Sequence, residues 1–300
     1  MKKKYKSLSV NLIVPGIIMI ALMTTVISCK KTDFTRSASP IESFAENDNA
    51  IIVVPVGSQT ALRQSHASEK YNTFYGPQVQ MGNGHIRTWV NITHSGKPLA
   101  IGVEMNGGAL TNLPQDPTDF AAATFTLKLH QKAKAVTPFD HAVVDWNVHG
   151  HEPDGIYDVP HFDFHFYKIS VDAQMAIPPY DVDSTGFNVP IPAGYMPPVY
   201  VKIPGGVPQM GSHWFDPTSP EWQGGGFTST FIYGTYNGHV IFDEPMITLA
   251  TLQSGNTIKK DFPQPEFFDP ANNYYPTQYS IWKNAANGRH YVSLNNMVWR

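Results

Sequence analysis

The chemistry in this chain gathers between residues 146 and 167, where four of its twelve histidines fall: His149, His151, His161 and His165, with Asp163 among them. Neutral imidazole and carboxylate are ligands for zinc, manganese, iron and nickel, and the same side chains serve as acids and bases. From Pro160 onward the stretch alternates with the period of a β-strand. Phe162, Phe164 and Phe166 point to one face, and His161, Asp163 and His165 to the other. Three aromatics fix the strand against a core, and its opposite face then holds three chemically capable groups on rigid backbone.

Strand spacing limits which of these can share an ion. His161 and His165 have Cα atoms roughly 13 Å apart at about 3.3 Å per residue. Each imidazole reaches an ion from roughly 6 Å, so the two could bind one only in a nearly straight line. Tetrahedral or octahedral angles would be lost. Asp163 stands only roughly 6.6 Å from either histidine, a comfortable spacing; a bulge or bend would be needed to recruit the third member. One strand supplies too few ligands, so others must come from elsewhere.

The expected centre uses His161, Asp163, His165, His213 and Glu244, with His149 and His151 as alternates. Gly150 between the two alternates permits a tight approach. His213 is expected in a loop after Gly211-Ser212, Glu244 at the end of a strand, and Tyr157 and Tyr167 behind the ligands. The expected metal is a divalent ion, zinc first, with manganese, iron or nickel as alternatives. Catalysis there would use metal-activated water with a carboxylate as base. Two other readings stand beside it: catalysis without metal, and a structural layer of hydrogen-bonded histidines in a non-enzymatic module that binds a ligand or assembles. The sequence does not decide whether the chain is an enzyme.

The elements that must position these groups read as all-β. Twenty-five prolines and 23 glycines are spread along 300 residues, which favours short strands joined by turns. Residues 84–92 and 99–105 alternate around turn chemistry at His94-Ser95-Gly96-Lys97-Pro98, predicting a hairpin. Residues 119–123 could open a short helix. Residues 125–130, 142–146 and 199–203 read as strands, and residues 172–198 as a proline-rich turn region. Residues 228–233 and 240–242 predict a hairpin around Asn237-Gly238, a strong turn dipeptide. Glu244-Pro245-Met246 ends its second strand, and residues 247–252 continue. Residues 279–282 and 290–294 predict a last hairpin around Asn287-Gly288. The expected fold is one antiparallel β-sandwich or barrel-like domain over residues 50–300, with long Pro/Gly-rich loops and a first strand near residues 51–56.

Residues 1–28 read as a targeting segment: Lys2, Lys3, Lys4 and Lys6, then an apolar run ending at Ser28 before Cys29, the only cysteine. This resembles a bacterial lipoprotein signal, with Cys29 lipidated and residues 29–49 a flexible tether. An uncleaved membrane anchor is the other reading. Either way the expected location is exported, lipid-anchored in the bacterial cell envelope. Removing the segment takes away four of the 21 basic residues and none of the 24 acidic ones, for a net of −7. No basic patch stands out, so nucleic acid is not an expected partner. The membrane is expected to be met through the lipid; a small-molecule or glycan ligand and a homo-oligomer remain open. A single cysteine excludes an internal disulfide framework. No G-x-S-x-G elbow, Walker A or dinucleotide glycine pattern occurs.

The run Gly150-His151-Glu152-Pro153, Gly155-Ile156-Tyr157 and Pro160 to Tyr167 resembles an uncharacterised family of exported bacterial proteins, a domain of unknown function named after a Thermus representative. Gly211-Ser212-His213-Trp214 with Asp216, Ser219-Pro220-Glu221, Phe231 to Gly234, and Phe242 with Glu244-Pro245-Met246 look like further blocks of it. The likeness spans roughly residues 82–248 and implies an exported β-rich fold with no settled activity. Val148 departs from the pattern, where relatives would carry proline. Cupins and the α-type carbonic anhydrases also set His-x-His pairs on strands, but the His-x-Asp-x-His order here differs, so no function transfers.

Overall fold

A computed structural model describes residues 70–300. The expected signal segment (1–28), Cys29 with its tether (29–49) and the strand near 51–56 lie outside the described residues.

The chain first lays down β1 (Tyr71–Tyr75), β2 (Val79–Met81), β3 (Gly84–Thr93) and β4 (Pro98–Met105). It then builds a second sheet from β5 (Thr124–Lys128), β6 (His141–Asn147), β7 (His161–Tyr167), β8 (Val201–Lys202), β9 (Ser212–Phe215), β10 (Ser229–Tyr236) and β11 (His239–Thr248). It returns to the first sheet with β12 (Ile258–Asp261), β14 (Gln278–Lys283) and β15 (His290–Asn295), while β13 (Tyr274–Tyr275) pairs only with β16 (Val298–Trp299). The first sheet runs β1-β3-β4-β15-β14-β12, with β2 also on β3, and the second β5-β6-β7-β11-β10-β9-β8. Neither closes, so the architecture is a sandwich and the barrel alternative falls away. The described ladders between strands are all antiparallel.

The main core fills the space between the two sheets. Ile101 and Val103 of β4 and Val292 and Leu294 of β15 meet Val144 of β6 and Phe162, Phe164 and Phe166 of β7 in one cluster. Each of the three phenylalanines is fully buried, worth about 1.5–3 kcal/mol apiece relative to exposure. They set the facing of β7, and alternation does the rest. His161, Asp163 and His165 must project from the far side of the second sheet. That outer face is not left to solvent. Loops cover it, making two small apolar clusters, one around Tyr167, Phe187 and Phe242 and one around Tyr157, Ile232 and Met246.

Several expectations are corrected. β9 gives His213 a strand position, because its partner β10 places Gly234 opposite it. β11 runs through Pro245 to Thr248, and residues 249–254 are a short helix capped by the Thr248 hydroxyl instead of more strand. Proline is tolerated there because the ladder with β7 stops locally. Partners run Phe242↔Tyr167 and Asp243↔Phe166, then resume at Met246↔Asp163. The break falls at Glu244. Residues 172–198 are interrupted by short helices at Val171–Met175 and Ser184–Asn188, and the strand expected at 199–203 shrinks to β8.

Candidate metal centre

The outer face of the second sheet carries two three-residue groups, His151 with His161 and Asp163, and His165 with His213 and Glu244. In each group, the ligand-type atoms all lie within 4.8 Å of one another. The residues expected to share a single centre fall into two neighbouring groups that could each hold an ion. Asp163 and His165 occupy successive outward positions of β7, and the long His161–His165 spacing is accommodated by giving each histidine its own cluster.

In the first group both histidines have their tautomer set by backbone. His161 Nδ1 lies 2.7 Å from the Val159 carbonyl and His151 Nδ1 2.6 Å from the Glu152 carbonyl. A carbonyl only accepts, so both Nδ1 atoms carry hydrogen and both Nε2 atoms are left to face Asp163. His161 Nε2 stands 3.2 Å from Asp163 Oδ1, and His151 Nε2 3.3 Å from Asp163 Oδ2. Asn147 Nδ2 donates to Asp163 Oδ2 at 2.7 Å, holding the carboxylate from β6. The His151 loop depends on Gly150, whose φ of +79° is left-handed and whose missing Cβ leaves room for the Tyr157 carbonyl. Tyr157 is buried beside both imidazoles, with ring centroids 5.9 Å from His151 and 6.4 Å from His161, and accepts from Trp222 Nε1 at 3.2 Å.

In the second group His165 is gripped from two sides. Its Nε2 lies 3.4 Å from Glu244 Oε1 and its Nδ1 3.1 Å from Asp145 Oδ2. The other oxygen of Asp145 accepts from Thr124 Oγ1 at 2.6 Å. His213 Nε2 is 3.8 Å from Glu244 Oε2. Tyr167 stacks on His165 at 5.7 Å and 19°, and its hydroxyl donates to the Gln209 carbonyl at 3.0 Å. Phe242 packs its edge on His165 and also touches His213, at 4.8 and 5.5 Å between centroids.

These separations are close to the ligand-to-ligand edge of a tetrahedral zinc site, about 3.3 Å for bonds near 2 Å. Of these histidine–carboxylate contacts, only His151 Nε2 to Asp163 Oδ2 is a hydrogen bond. Six of the nine buried side-chain polar atoms without a hydrogen-bond partner, among the described residues, belong here: Asp145 Oδ2, His161 Nε2, Asp163 Oδ1, both ring nitrogens of His165 and Glu244 Oε2. Buried polar atoms are normally satisfied, so such a concentration needs an explanation.

The electrostatics match this crowding. Burial alone would lower His151 and His165, but Asp163 for the first and Glu244 with Asp145 for the second lift both to about 9. Burial pushes Glu244 up, His165 opposes it, and the carboxyl ends at about 8. Burial also works to raise Asp163, yet His161 and His151 hold it well below the usual carboxylate range. Burial, reinforced by His165 and His151, drives His213 down to about 3, so its imidazole is neutral and able to ligate at neutral pH.

His149 is exposed and joins neither group. His151, offered by the sequence only as an alternate, is a full member of the first. Asp145 went unread, because a lone acid in the strand at 142–146 carries no visible chemistry; only the pairing of β6 with β7 brings it beside His165. Phe242 needs the space left by Gly234, its cross-strand partner, where a Cβ would collide with the ring. Gly234→Ala is expected to lower stability by about 1–3 kcal/mol through overpacking. A thermal melt matching the parent protein would refute that account of the glycine.

Residues 93–146 match the family model described as TTHB210-like, hypothetical protein TTHB210. The match is a similarity of this stretch to that family. It lies inside the span of the resemblance read from the sequence and is narrower, running from the end of β3 through β6. It includes Asp145 but stops short of the histidine block. The TTHB210-like description carries no activity. No curated protein and no solved structure matches the chain.

Proposed function

We propose that this chain is a metalloprotein of the bacterial cell envelope, tethered by lipid at Cys29, that binds two divalent ions on the outer face of its second sheet. The observation that carries the metal reading is the set of orphaned, converging polar atoms. A structural histidine layer would hydrogen-bond its members; here His151 Nε2 and Asp163 Oδ2 form a 3.3 Å hydrogen bond, but His161 Nε2, Asp163 Oδ1, both ring nitrogens of His165 and Glu244 Oε2 lack partners. Zinc is the proposed ion, because the edges suit a tetrahedron; two histidines and one carboxylate also suit ferrous iron, and manganese or nickel would share the ligand set. The envelope address rests on Lys2 to Lys6, the apolar run and Cys29.

The two stations differ in access. His151 has a side chain 40% exposed, whereas His165 and Glu244 are sealed. We assign the His151 station to hydrolysis and the His165 station to holding β7, β9 and β11 together. A bound zinc ion lowers the pKa of its water to about 7, which supplies a nucleophile at neutral pH. Around it the chain's own groups position: the Val159 and Glu152 carbonyls orient the imidazoles, Asn147 holds Asp163, and Tyr157 walls the site.

Elemental analysis of a tagless protein beginning at Lys30 tests the reading. The expected result is two ions per chain, falling to one in either His151→Ala or His165→Ala. Protein that stays metal-free after exposure to zinc, manganese, iron and nickel would leave the structural-layer reading standing. Affinity should also rise with pH. His151 and His165 hold protons up to about 9 and Glu244 up to about 8, and an ion must displace them. Binding therefore tightens from pH 6 to 9, by about tenfold per pH unit for each proton released. A pH-independent affinity would contradict the protonation assigned to these groups.

A further inference from the structure

A cavity of about 290 Å³ lies apart from both stations, lined in part by Asp243, which neighbours Glu244 in β11 but projects to the opposite side of the sheet. Tyr233 and Tyr275 are buried lining residues, while Tyr195 and Phe267 reach its open side. Phe267 is 49% exposed, so its ring is available to a ligand at the mouth of the cavity. It is held there by structure. The Gly194 carbonyl accepts from both the Glu266 and Phe267 amides, at 2.8 and 2.9 Å, so the loops carrying Tyr195 and Phe267 are tied together. Their rings sit 5.6 Å apart.

The polar content of the cavity is equally specific. Lys168 Nζ and Asp243 Oδ1 form a 2.7 Å pair with side chains only 7% and 3% exposed. The ammonium also lies 5.4 Å from the Tyr275 ring centroid and 6.0 Å from that of Tyr233. The hydroxyls of Tyr233 and Tyr275 are already spent on the Pro263 and Pro270 carbonyls, at 3.1 and 2.8 Å, so these residues offer ring surface. The exposed His239 and Asp269, which also line the cavity, pair with each other at 2.8 Å. The buried Lys168 and Asp243 charges already match each other, so an anionic or cationic ligand would leave its own charge unmatched.

These features select a neutral ligand with one apolar face and a rim of groups that both donate and accept hydrogen bonds. A pyranose ring has that shape. Its axial C–H bonds form a face that packs on aromatic rings, and adjacent hydroxyls can bridge an ammonium donor and a carboxylate acceptor. The volume is at the small end of ligand pockets, enough for one ring and not several. We propose that this cavity binds a single pyranose, either as a free sugar or as the terminal residue of a glycan, with Phe267 and Tyr195 stacking on the ring and the Lys168–Asp243 pair reading its hydroxyls.

Saturation-transfer NMR on the full chain tests the assignment, with glucose, galactose, mannose and N-acetylglucosamine as separate probes and benzoate and indole as controls. At least one sugar should receive saturation, strongest at its axial C–H protons, and benzoate should receive none. Phe267→Ala and Tyr195→Ala should each weaken the dissociation constant of that sugar at least tenfold, with a parental melting curve confirming the fold. A disaccharide ending in the same ring distinguishes the sources: tighter binding than the monosaccharide marks a glycan terminus, and equal binding marks a free sugar. The proposal is overturned if no pyranose binds, if indole outcompetes every sugar, or if both variants bind as the parent does.

Discussion

Zinc added to chelator-treated protein is expected to raise its melting temperature by roughly 10–20 °C, given about 2.7 kcal/mol for each ion at a hundredfold excess over its dissociation constant and about 2–4 °C per kcal/mol for a domain of this size. The size of the effect follows from where the two stations sit. Their ligands come from β7, β9, β11 and the His151 loop, so one ion would fasten that loop to β7 and the other would add a cross-link to strands that the ladders of the second sheet already join. Both would also relieve the buried atoms that lack partners. Differential scanning fluorimetry on dialysed protein, with and without zinc, is sufficient. A shift below about 2 °C at saturating metal would mean less than roughly 1 kcal/mol of coupling, too little for ions at these stations. The same experiment with magnesium should give almost nothing, because that ion prefers oxygen ligands and octahedral geometry.

Replacing Asp163 is the second large effect. Its carboxylate is the only acid of the first station, within 3.2 Å of His161, 3.3 Å of His151 and 2.7 Å of Asn147 Nδ2. Asp163→Ala is expected to reduce the ion count from two to one. Before any metal is added it should also cost about 3–5 kcal/mol, the usual penalty for removing one partner of a buried charge pair. Asp163→Asn keeps the shape and one acceptor, so it should lose the ion with a smaller loss of stability. The contrast separates ligation from packing. If Asp163→Ala kept both ions, or melted with the parent protein, the first station would not exist as described.

Much of the scaffold was legible because it is local. The alternation of Phe162, Phe164 and Phe166 with His161, Asp163 and His165 fixed the two faces of β7, and Asn237-Gly238, with both residues at positive φ, marked the β10–β11 hairpin. What escaped depends on partners far along the chain. β1, β12, β13 and β16 are short strands whose extended state is set by what they pair with. His213 looked like a loop residue between glycines until β10 claimed it as strand. Asp145 is opposite Asp163 and diagonal to His165, a relation that appears only once the register of β6 against β7 is known. Pro245 argued for an end to its strand, and the chain instead breaks one ladder and keeps the other.

The two-sidedness of β7 has a consequence for how the chain reaches its native pairing. A slip of one residue would turn three phenylalanines outward and press His161, Asp163 and His165 into the interior. The same slip would scatter the ligands of both stations. Coordination could close only on the correct pairing, so an ion bound at these stations would act as a proofreader of strand alignment, rewarding one arrangement and ignoring its neighbours.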